Sequence, residues 1–70
     1  MSESHRRLVE ACEEIAAQYA SGARQLEAAA IALHRAGCPE MAEVAGQATR
    51  HHLLRAMLHS AQAAGLKARD

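Results

Sequence analysis

Leu8, Cys12, Ile15, Tyr19, Gly22, Leu26, Ala29, Leu33 and Ala36 follow one another at alternating steps of four and three residues. That rhythm keeps apolar or small residues on one stripe of an α-helix for about four heptads, the pattern of a long helix buried along one side. Both flanks of the stripe are also small, with Val9, Ala16, Ala23 and Ala30 on one side and Ala11 and Ala32 on the other. A smooth face of that width predicts more than one helical neighbour.

Gly37-Cys38-Pro39-Glu40 punctuates the chain. Glycine suits the left-handed position after a helix, proline suits the first position of a new one, and Glu40 and Glu43 place negative charge at its start. The predicted elements are a helix over about residues 3–36, a turn at 37–39 and a helix over about 39–64, ended by Gly65. So short a connection makes the two helices antiparallel, in one domain over residues 1–70.

The second helix changes phase. Met41, Val44, Ala45 and Ala48 share a face that continues into His51, His52, Arg55, His59 and Gln62, while Leu53, Leu54, Met57, Leu58, Ala61 and Ala64 have turned to the other side. Either the helix breaks near Gly46, giving three short helices, or it runs on and changes neighbours halfway. The continuous form is favoured, because Gln47-Ala48-Thr49 holds no proline or turn dipeptide.

Seventy residues with a single aromatic, Tyr19, and much alanine make a thin core. Association with copies of itself is the expected remedy. The fold class is therefore all-α: an antiparallel helical hairpin that self-associates into a four-helix bundle, with a dimer favoured. Leu8, Ile15, Tyr19, Leu26, Leu33, Met41, Val44, Leu54, Met57 and Leu58 are the expected interface. The matching function is a small interaction or assembly module, serving as adaptor, accessory subunit or regulator, with a larger protein as a further candidate partner.

Lys plus Arg equals Asp plus Glu, so the formal charge is zero, which argues against a nucleic-acid partner. No apolar run approaches the roughly 20 residues that span a bilayer. No hydrophobic leader follows Met1, and two cysteines do not make a disulfide scaffold, so a cytoplasmic setting is expected.

Two clusters can carry chemistry. His51, His52 and His59 interrupt an apolar pattern, and imidazoles inside a helical bundle bind metals, haem or anionic ligands. His52 and His59 stand about 10.5 Å apart along the helix, so a shared ion needs ligands from a second copy. The competing reading hydrogen-bonds these histidines to Gln18 and Gln25 across the hairpin. His34 and Cys38 form a weaker second candidate, whose spacing suits Cu(I) or Zn²⁺ but needs two more ligands. No cofactor is required by the pattern. No Glu-x-x-His pair, phosphate loop or Ser/His/Asp set is present, so enzymatic activity is not expected.

Overall fold

The computed structural model describes residues 1–69. Two helices, α1 (Glu3–Arg35) and α2 (Pro39–Ala68), pack against each other as an antiparallel hairpin. Ser2 caps α1, its side-chain oxygen accepting the His5 backbone N–H at 3.1 Å. Where α1 ends, Gly37 takes φ +80°. The Gly37 N–H donates to the His34 carbonyl at 3.1 Å, and the Cys38 N–H donates to the Leu33 carbonyl at 2.9 Å. These are the two bonds of a Schellman turn, and they satisfy carbonyls that the helix leaves without partners. Pro39 then opens α2 at once, and Cys38 stands at the N-cap without a side-chain capping bond.

α2 is continuous through Gly46, so the three-helix alternative does not occur. It also passes Gly65, where the glycine pattern predicts its end, and runs on to Ala68. A helical glycine costs up to about 1 kcal/mol relative to alanine. Contacts beyond it offset that cost. Leu66 is half-buried, its carbonyl accepts the His5 Nε2–H at 2.6 Å, and Lys67 Nζ pairs with Glu13 Oε2 at 2.9 Å. The terminal turn of α2 is held by α1, whatever its local preference.

The seam between the helices is built from small residues. On α1 the inward positions are Val9, Cys12, Ala16, Tyr19, Ala23, Leu26, Ala30 and Leu33; on α2 they are Ala42, Ala45, Thr49, His52, Ala56, His59, Ala63 and Leu66. Both sets step alternately by three and four. The expected stripe on α1 contributes Cys12, Tyr19, Leu26 and Leu33. Leu8, Ile15, Gly22 and Ala29 lie one residue away and give their places to Val9, Ala16, Ala23 and Ala30. Alanine at alternate layers lets the helix backbones approach closely, which bulky side chains would prevent. Thr49 is buried too, its hydroxyl donating to the Ala45 carbonyl at 2.9 Å.

A seam of this kind leaves much apolar surface outside. The chain measures 53 × 14 × 10 Å with a radius of gyration of 15.9 Å, against about 11 Å for a compact domain of its length. Its accessible surface is 5042 Å², roughly 800 Å² above the ~4,250 Å² that a compact monomer of this mass exposes.

Candidate functional site

Tyr19 sits at mid-height of the seam, between two turns of α2. Its ring lies parallel to that of His59, with centroids 5.7 Å apart and 8° between planes, and edge-on to that of His52 at 5.5 Å and 68°. Offset-stacked and edge-to-face pairs are both favourable arrangements of such rings. His51 continues the series, 6.2 Å from His52, but is exposed while His52 and His59 are half-buried. Counting outward from the turn sets Tyr19 level with Leu58 or His59; the ring instead lies between His52 and His59, level with about Ala56, so the register is offset by two to three residues.

The imidazoles are not oriented by glutamines from α1. The His52 Nδ1–H donates to the Ala48 carbonyl at 3.0 Å, and the His59 Nδ1–H donates to Gln62 Oε1 at 2.8 Å. Each partner is on α2 itself, within one turn. Both acceptors require the proton on Nδ1, which leaves Nε2 as the nitrogen with a lone pair. Gly22 lies under His52: a Cβ there would stand 3.0 Å from His52 Cδ2 and 3.5 Å from its Nε2. The glycine makes room for the ring.

Two hollows open on one face of the hairpin. The larger, about 680 Å³, is flanked by Leu8, Cys12 and Ile15 on α1 and by Leu58, His59 and Leu66 on α2. A smaller one of about 310 Å³ is lined by Ile15, Gln18, Tyr19, Gly22 and His52. Ile15 belongs to both, so they join into a trough about 21 Å long between Leu8 and Gly22. The opposite face carries a hollow of about 450 Å³ lined by small residues such as Ala17, Ala20, Ser60 and Ala64, with the Glu13–Lys67 pair at one end.

Of the expected interface residues, Tyr19, Leu26 and Leu33 are half-buried in the seam. Leu8, Ile15, Met41, Val44, Leu54, Met57 and Leu58 are exposed, with Val44, Leu54 and Met57 keeping 66%, 65% and 67% of their surface in contact with solvent. Leu53 and Ile31, at 47% and 48%, are also exposed and lie outside the expected set. Ile31 sits on a flank of α1 where its neighbours Ala30 and Ala32 give no pattern, and only the completed seam shows that it faces outward.

Among the described residues, no three His, Cys, Asp or Glu side chains converge on a point where one chain alone could hold a metal ion. His52 and His59 are separated by the Tyr19 ring. His34 is exposed while Cys38 is half-buried at the turn, and Cys12 and Cys38 are both free thiols. No helix among the described residues is long and apolar enough to cross a membrane. Comparison with family models, curated proteins and solved structures finds no match to this chain.

Proposed function

We propose that this chain is an assembly module: a helical hairpin that pairs with a second copy into a four-helix bundle and acts as a small adaptor, accessory subunit or regulator. The observation that carries the reading is the solvent exposure of Val44, Leu54 and Met57 beside a seam of alanines. Large apolar side chains bury about 1.5–3 kcal/mol each when covered, whereas alanine offers far less. The hairpin therefore keeps its strongest hydrophobic contacts for a neighbour. Surface of roughly 800 Å² beyond that of a compact monomer matches one partner's share of a standard interface. Sedimentation equilibrium between about 1 and 100 μM tests the reading, since apparent affinities in that range correspond to roughly 5.5–8 kcal/mol. A helical species that sediments as dimer supports it, and a folded monomer throughout the range overturns it.

A second reading, a metal- or haem-binding bundle, draws on the Tyr19–His52–His59 stack, in which Nδ1 of each imidazole is engaged and Nε2 is the remaining donor to a ligand. Ligating histidines are commonly fixed through their other ring nitrogen in this way. One chain supplies too few convergent ligands, so this reading needs the dimer as well. Titrations with Zn²⁺ and haem that do not distinguish the wild type from a variant with His51, His52 and His59 all replaced by glutamine would dispose of it.

A further inference from the structure

The trough has a gradient of side-chain size along α1. Leu8, Ile15, Gly22 and Ala29 succeed one another at heptad intervals. The first two are large and exposed, whereas Gly22 has no side chain and borders the hollow of about 310 Å³. A stripe with bulk at one end and space at the other is complementary to its own copy turned end for end. α2 carries a matching element. The Tyr19 ring lies between His52 and His59, which sets Tyr19 level with about Ala56. Leu54 and Leu58 flank that level symmetrically, and both are exposed.

We infer that a second copy of this chain docks on the trough, related by a two-fold axis that crosses α1 between Gln18 and Tyr19 and α2 near Ala56. About that axis Ile15 enters the hollow lined by the partner's Gly22 and the partner's His52, Leu8 packs on the partner's Ala29, and Leu54 meets the partner's Leu58. Each helix lies antiparallel to its own counterpart. The contact is isologous, so it closes at two copies and leaves no free end for further addition. A formal charge of zero leaves no net repulsion between copies. The docked copy closes the trough side of the Tyr19–His52–His59 stack. This rests on self-association and adds the face and the symmetry operator.

The test uses the full chain with Cys12→Ala and Cys38→Ser, into which a single cysteine is placed. Gln18→Cys lines the trough beside the axis, while Ala17→Cys lines the opposite face. Packed helices about 8–10 Å apart bring residues at such an axis within the ~4.4–6.8 Å between Cα atoms that a disulfide requires. Mild oxidation is expected to link the Gln18→Cys dimer and leave Ala17→Cys unlinked. A chain that sediments as a dimer but links through Ala17→Cys, or through neither, overturns the docking face while self-association stands. A monomer at every concentration removes both readings. The pairing is tested further by Leu8→Lys and Ala29→Glu, each expected to weaken the dimer by at least about tenfold, a change of ~1.4 kcal/mol. The double variant is expected to recover affinity, because the two charges meet across the axis. Two folded single variants with no recovery in the double would overturn the register.

Discussion

Of the three helical glycines, only Gly22 is required by its surroundings. Gly65 has nothing within 4 Å of a built Cβ, and Gly46 has only the Arg50 guanidinium at 3.8 Å. Alanine at either position gains helix propensity without a clash, so Gly46→Ala and Gly65→Ala are each expected to stabilise by about 0.5–1 kcal/mol. At Gly22 the same methyl group meets His52 Cδ2 at 3.0 Å, so Gly22→Ala is expected to forfeit that gain by displacing the imidazole. Urea unfolding at one fixed protein concentration separates the three; equal gains at all of them would refute the close approach of His52. Tyr19 is governed by its ring. Tyr19→Phe keeps both ring contacts and is expected to stay within about 0.5 kcal/mol of wild type. Tyr19→Ala removes two aromatic pairs and the buried part of the ring, a loss of about 2–3 kcal/mol in the same measurement.

At the scale of the helices, the hairpin is legible in Gly37-Cys38-Pro39, because a left-handed glycine followed by proline leaves little choice of path. Counting outward from that turn brings Tyr19 to within two or three residues of its level near Ala56, close enough to meet both His52 and His59. The rotation of α1 about its own axis is not legible in the same way. Ile15 and Ala16, or Gly22 and Ala23, are neighbours on two stripes of similar quality, and hydrophobicity alone favours the stripe with Leu8 and Ile15. Close packing favours the other, since backbones separated by alanine gain dispersion contacts along their length. Nor does the pattern say which acceptor each imidazole takes, because Ala48 and Gln62 lie within a turn of their histidines just as Gln18 and Gln25 lie across from them. The seam's tolerance is correspondingly narrow. Ala23→Leu introduces three carbons into a position that is 2% exposed and is expected to cost about 1–3 kcal/mol, or to splay the helices. Circular dichroism melts that rise instead of falling would contradict the close seam. Lys67→Ala, by contrast, removes an ion pair between half-exposed side chains and is expected to change stability by no more than about 1 kcal/mol.

For the whole molecule the decisive property is its shape, a rod 53 Å long and 10–14 Å thick. Two helices cannot enclose a core, and the residues buried here, Val9, Ala16, Ala23 and Ala63 with Thr49, lie along a line with no centre. Stability that depends on a second copy depends on concentration. Thermal midpoints are therefore expected to rise by several degrees between low and high micromolar protein, and a midpoint independent of concentration would mean that the hairpin stands alone.

The turn at Gly37 carries one more consequence. It is the only non-helical link between the helices, and its left-handed backbone at φ +80° is costly for any residue with a Cβ, by about 1–2 kcal/mol. Replacing it with alanine would favour opening the joint, so that α1 and α2 stood end to end as one rod about 100 Å long, bent where Pro39 has no N–H to donate to a helical hydrogen bond. Such rods could then satisfy their alanine seams by exchanging arms, each chain borrowing from another the helix it no longer folds back upon itself.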